Sequence, residues 1–239
     1  MMAPDPTRLI TRIGLNVPLI GLYDAPTPEP FEPLVTPPRE KRSCVFAYYK
    51  NWIQGKRLLL TKEQFGCGGA GHWLCDVLTR SRQDFVSFLV HEEGLKASHE
   101  LMDKWLDHQK PFSQTYPNIL IGPLQGAQYT FLKSVTFFVN PDQLSILMIG
   151  AQYFHSPTDL PPIMAPFGSG CSQLVSLFND FTAPQAVIGA TDIAMRQYLP
   201  ADILAFTVTK PMYEQLCTLD ERSFLYKPFW ARLRSARGL

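Results

Sequence analysis

Excess charge of either sign is missing from this 239-residue chain, in which 22 basic residues face 21 acidic ones for a net charge of +1. Nucleic acids and other polyanions are held by a basic footprint, so the composition excludes a nucleic-acid binder. Long apolar runs are missing too: a membrane span needs about 18 consecutive apolar residues, and no stretch approaches that. The nearest candidate, Ile13 to Leu22 behind Arg8 and Arg12, is broken by Asn16 and Pro18 and runs into Tyr-Asp-Ala-Pro rather than a small-residue cleavage site. It reads as the start of a first strand, not as a leader. A disulfide framework is absent as well, because five cysteines form an odd set spread singly along the chain. The expectation is a cytoplasmic protein with reduced thiols and with neither membrane nor nucleic acid as partner.

What is present is core. Hydrophobic residues make up 46% of the chain and charged ones 18%, enough for one domain with a substantial interior. Residues 15–23 read as an apolar strand, followed by a proline-rich connector at 24–41 that the prolines keep extended. Cys44 opens a helical segment that ends near Gly55; residues 57–61 read as a strand, and the glycine-rich turn at 66–71 precedes a helix expected to begin near His72. Residues 84–109 carry two helical stripes separated at Gly94, with Phe88, Leu101, Met102 and Trp105 expected to face inward. Residues 134–139 form a strand, and Asn140-Pro141 is a strong helix start. A second proline-bearing connector at 156–166 leads to Gly168-Ser169-Gly170-Cys171 and a helix. A strand at 185–190, a short helix near Met195, a strand at 203–208 and a helix begun by Pro211 follow. The basic run Lys227, Arg232, Arg234 and Arg237 reads as a solvated tail.

The order strand, proline-bearing connector, cysteine at a helix start, helix, strand and glycine-containing turn occurs twice. Cys44 corresponds to Cys171 and Gly66-Cys67 to Gly189-Ala190. Helices between successive strands favour parallel pairing. The expected fold is therefore α/β, with two pseudo-symmetric halves around a mixed or mostly parallel sheet in one domain. Half one covers about 15–78 and half two about 119–218, with a helical insert at 79–118 packed on one flank and a C-terminal helix or tail at 219–239.

Taken together, Cys44, the turn Phe65-Gly66-Cys67-Gly68-Gly69-Ala70-Gly71, the Asn140-Pro141 start and Ser169-Gly170-Cys171 resemble the archaeal conserved-region family, domain of unknown function 169, from about Val17 to Leu216. That family has no established activity, so the resemblance implies no mechanism. It does imply a further cysteine in the second-half turn, where this chain has Ala190. A complete four-thiolate site is accordingly not expected.

Chemistry must then come from the residues. If the halves face a shared axis, Cys44, Cys67 and Cys171 lie at helix starts, where backbone N–H groups favour thiolate. Three thiolates suit a [4Fe–4S] cluster or a zinc ion, although no CxxC pair is present; the alternative is that cysteine serves as a small buried hydrophobe. Gly66, Gly68, Gly69, Gly168 and Gly170, with Ser169, let backbone amides approach an anion, but neither turn matches a dinucleotide or P-loop fingerprint. Arg196 is a candidate to hold a carboxylate or phosphate. His72 follows the glycine turn and is a candidate base, with simple packing as the alternative. His91, His99 and His108, spaced by eight and nine residues, read as too far apart on a helix for one metal. The leading expectation is binding of a small anionic ligand or redox cofactor in the cleft between the halves. The alternatives are an iron–sulfur or thiolate-dependent enzyme acting through Cys67, and an interaction protein using the insert helices.

Overall fold

A computed structural model describes residues 3–40, 42–156, 159–178 and 180–239. Eight strands form one sheet: β1 (Ile20–Ala25), β2 (Leu34–Val35), β3 (Arg57–Leu60), β4 (Asn118–Pro123), β5 (Leu132–Val139), β6 (Ile163–Met164), β7 (Ala186–Gly189) and β8 (Leu204–Thr209). Their order is β2-β3-β4-β1-β5-β8-β7-β6. Read outward from the β1–β5 seam, the first four strands run 1-4-3-2 and the last four 5-8-7-6, and in each set only the outermost pair is parallel. The sheet is mixed, but the expectation of mostly parallel pairing fails: β1–β4, β1–β5, β3–β4, β5–β8 and β7–β8 are all antiparallel. Of the successive strands that are neighbours in the sheet, β3–β4 and β7–β8 pair antiparallel, so parallel crossover pairing is confined to β2–β3 and β6–β7.

The central strands are covered on both faces, so β1 is buried along its whole length and β5 at every position but Lys133. Side-chain alternation divides the core in two. Leu58, Leu60, Ile119, Ile121 and Phe138 point to one face, and Leu120, Phe137, Val139 and Phe206 to the other. The second face carries α1 (Thr7–Ile13), α6 (Pro141–Gln152), α8 (Lys210–Cys217) and α9 (Pro228–Arg237). The first carries α2 (Tyr49–Ile53), α3 (Gly68–Cys75), α4 (Arg82–Ser87), α5 (His99–His108) and α7 (Ile193–Arg196).

Several expected elements differ in detail. The connector at 24–41 is not wholly extended: it contains a 3-10 turn at Glu29–Phe31 and the strand β2. The segment 79–118 is not an appendage to one flank. Its helices, joined by a π-helical turn at Phe88–Glu92, lie over the first face of the sheet, and β4, assigned by its sequence to the second half, pairs with β1 and β3. Met102 is buried and Trp105 packs against Trp73 and Phe167, but Leu101 faces solvent. The basic C-terminal run is solvated as expected at Lys227, Arg232 and Arg237, but it lies on the packed helix α9 rather than on a loose tail. Trp230 is buried and donates its indole N–H to Arg12 O at 2.7 Å, while Arg237 pairs with Asp142 at 2.9 Å.

The Asn140 start is as expected. Its side chain accepts the Gln143 N–H at 2.9 Å, and Gln143 returns the bond by accepting the Asn140 N–H at 3.1 Å, closing a capping box. Gln143 also donates to Gly14 O at 2.7 Å, tying α6 to the end of α1. Asn140→Ala should therefore lower the unfolding free energy by about 1 kcal/mol, read as a shift in the urea midpoint at unchanged slope.

Candidate functional site

Gly66 begins the site. It has φ +83°, and a Cβ there would stand 2.5 Å from Ser43 O, so the turn into Cys67 requires glycine. Helix α3 starts at Gly68, earlier than expected, and extended Cys67 is its N-cap residue. The glycines 68, 69 and 71 are thus the first turn of a helix rather than a loop before it. A Cβ at Gly69 would lie 3.5 Å from Ser169 Oγ, 3.8 Å from Cys67 Sγ and 4.0 Å from Cys171 Sγ. Gly69 therefore leaves the space in which two thiols, 104 positions apart in sequence, meet.

Cys171 does not start a helix. Only a 3-10 turn at Ser172–Leu174 follows it. Side chains take the backbone groups that a helix would use: Ser172 donates to Ser169 O at 2.7 Å and Ser134 donates to Leu174 O at 2.8 Å. Gln173 turns instead to the second-half turn, accepting the Ala190 N–H at 2.8 Å and donating to Thr191 Oγ1 at 2.7 Å. Ala190 is buried with φ +61° and lines neither cavity described below.

The three site cysteines have different protonation. The Cys171 thiol is hydrogen-bonded to Cys67 and brings the Cys67 pKa down to about 6; N–H groups of Ala70 and Gly69 add to this, and burial opposes it. The same bond to Cys67, together with burial, raises the Cys171 pKa, so Cys171 is the proton donor of the pair. Burial pushes Cys44 up to about 12, with the proximity of Cys67 and Asp192 acting in the same direction. Cys75 is likewise held at about 12 by burial. Cys217 packs against the other face of the sheet and is pushed by burial to about 11.

Two cavities open beside the thiols. One, of about 370 Å³, is lined by Cys44, Cys67 and Cys171 together with His72, Arg42 and Arg80. The other, of about 700 Å³, is lined chiefly by Trp73, Phe85, Phe88, Met102, Trp105 and Phe167. Gly69, Phe85, Phe88, Glu93, Ser169, Asp192 and Ala194 border both, so the two cavities adjoin along shared residues. Ser169 Oγ and His72 Nδ1 are buried without a hydrogen-bond partner among the described residues. The His72 ring packs against Trp73 and Phe85, and burial lowers its pKa.

Of the expected site residues, the structure brings Cys44, Cys67, Gly68, Gly69, Ser169, Gly170 and Cys171 to the smaller cavity and Gly168 to the larger. Gly66 shapes the turn behind them. Arg196 is a correction. Its guanidinium donates to the backbone carbonyls of Ala190, Pro200, Ala201 and Ile203, so its donors serve the α7–β8 loop and it lines neither cavity. The cations at the cleft are Arg42 and Arg80, neither of which forms an ion pair among the described residues; Arg80 lies 4.6 Å from the Phe88 ring centroid. Sequence reasoning missed both, because they stand in loops without a pattern. The separation assumed for the histidines is corrected too: His91 and His99 bring their Nε2 atoms to 2.9 Å because the chain leaves the helix between them.

The expectation of zinc or a [4Fe–4S] cluster at Cys44, Cys67 and Cys171 finds no support in the side-chain geometry. Among the described residues, no group of three or more His, Cys, Asp or Glu side chains is arranged to hold a metal ion. No helix among them is long and apolar enough to cross a membrane.

Fold and site together define an α/β protein with a thiol-lined cleft on one face of a mixed sheet. The chain belongs to the DUF169 family, described as uncharacterised ArCR, whose model matches residues 8–218. No curated protein and no solved structure matches it.

Proposed function

We propose that the protein binds a small molecule in this cleft, with a flat apolar portion in the larger cavity and an anionic or electrophilic end at the thiols. The observation that carries the reading is that the two cavities adjoin and share Gly69, Ser169 and Asp192 as lining. A pocket with aromatic walls and a few convergent polar groups is the usual form of a small-molecule site. Arg42 and Arg80 take the role first expected of Arg196, offering cations to an anionic group beside Cys67. Ser169 and His72 offer buried polar atoms that a ligand would satisfy. The interaction-protein reading is weaker, because the insert turns Phe85, Phe88, Leu89 and Met102 towards the cleft rather than outward.

Anaerobic purification followed by denaturing extraction and mass spectrometry tests this reading. Wild type should release a molecule in near-stoichiometric amount. Ala194→Trp, which places an indole where the cavities join, should release at least about tenfold less while melting like wild type. Equal recovery from both proteins, or stoichiometric zinc or iron in the same wild-type sample, would count against it.

A further inference from the structure

We infer that Cys67 and Cys171 are a thiol–disulfide exchange pair that reduces small disulfides entering the thiol-lined cavity. Geometry carries this inference. The two sulfurs stand 3.8 and 4.0 Å from the same point above Gly69, where no Cys44 atom is among the nearest neighbours. Cys67 caps α3 and borders the 370 Å³ cavity, so a small disulfide can reach it. Cys171 is 3% exposed and adjoins the same cavity from beneath, placed to attack Cys67 but poorly placed to meet a substrate first. The division into an accessible attacking thiolate and a protonated, buried resolving thiol is what two-step exchange requires.

The chemistry balances with a disulfide R–S–S–R as the oxidant. Cys67 thiolate attacks one substrate sulfur; a Cys67–S–S–R bond forms, the substrate S–S bond breaks and R–S⁻ departs. Cys171 passes its proton to a departing thiolate and attacks Cys67 Sγ, forming the Cys67–Cys171 disulfide and expelling the second R–S⁻, which is protonated by solvent. Two electrons move from the protein dithiol to the substrate, which leaves as two thiols. This activity does not depend on what fills the aromatic cavity: absence of a co-purifying ligand would defeat the binding reading and leave the exchange pair untouched.

The test uses the reduced full-length protein, held without oxygen, with 2-hydroxyethyl disulfide as probe. Acid-quenched samples are analysed by intact mass and by peptide mapping. Wild type should release two molecules of 2-mercaptoethanol per chain and end with a Cys67–Cys171 cross-link. Cys171→Ser and Cys171→Ala should both stop at a persistent mercaptoethanol adduct on Cys67. Cys67→Ser should slow the first exchange at least about a hundredfold. A cross-link from Cys67 to Cys44, a wild-type protein that stops at the adduct, or exchange by Cys67→Ser at the wild-type rate would overturn the inference. The wild-type map decides between the first two without any variant having to fold.

Discussion

Limiting iodoacetamide at pH 7 should alkylate Cys67 almost alone, and Cys67→Ser should remove nearly all of the fast reaction. With its pKa near 6, Cys67 is about nine-tenths thiolate at that pH, whereas Cys44 and Cys75, near 12, are thiolate about once in 10⁵ molecules. A low-pKa thiolate is intrinsically less nucleophilic, with a Brønsted slope of about 0.4–0.5, which leaves a net rate advantage on the order of 10²–10³. The sign of the pH dependence follows from the lowered pKa. The rate should rise with pH through about 6 and level off by about pH 8, where an ordinary thiol is still climbing. Label mapping first to Cys217 or Cys75, or a rate still rising steeply above pH 8, would contradict the assignment.

The second large effect concerns stability, and it lies at the far end of β1. Asp24 is wholly buried; its carboxylate accepts the N–H groups of Thr115 and Tyr116 at 2.8 and 2.9 Å, with Lys133 Nζ at 3.6 Å. These bonds hold the end of the insert against β1 just before the chain enters β4. Asp24→Ala leaves two backbone donors without their acceptor and a half-buried lysine without its counter-charge. The expected loss is about 3–5 kcal/mol in urea unfolding, with a fall in melting temperature on the order of 10 °C. Asp24→Asn keeps one acceptor and should lose clearly less. A change under about 1 kcal/mol in the alanine variant would mean that the carboxylate does not hold this junction.

Local signals were legible where chemistry is local. Asn140-Pro141 announces α6 because cap and proline act within one turn. The runs at 57–61 and 203–208 are close to β3 and β8 because their apolar residues lie between turns. β4 was invisible. Asn118–Pro123 is a short apolar run between prolines, and its partner β1 lies almost a hundred residues earlier, so nothing nearby marks it as a strand. Cys67 and Cys171 were legible as site residues from the glycines beside them, but the helix expected after Cys171 does not form. That they approach the same point above Gly69 depends on contacts between turns 104 positions apart. The His91–His99 contact was not, because helical spacing holds only while the helix continues, and it stops at Gly94. Arg196 misled for a related reason: a guanidinium near a turn is as well suited to five carbonyl-directed donors as to an anion, and only the path of the α7–β8 loop decides.

The sheet ends on both sides in a strand of only two residues, β2 and β6. Pro33 precedes β2 and Pro37-Pro38 follow it; Pro161-Pro162 precede β6 and Pro166 follows it. A foreign strand docking along either border would meet prolines that have no N–H to offer and would find too little straight backbone to pair with. The proline-rich connectors therefore do more than span the distance between strands. They close both borders to edge-to-edge pairing and leave the sheet no straight edge along which it could extend into a fibre.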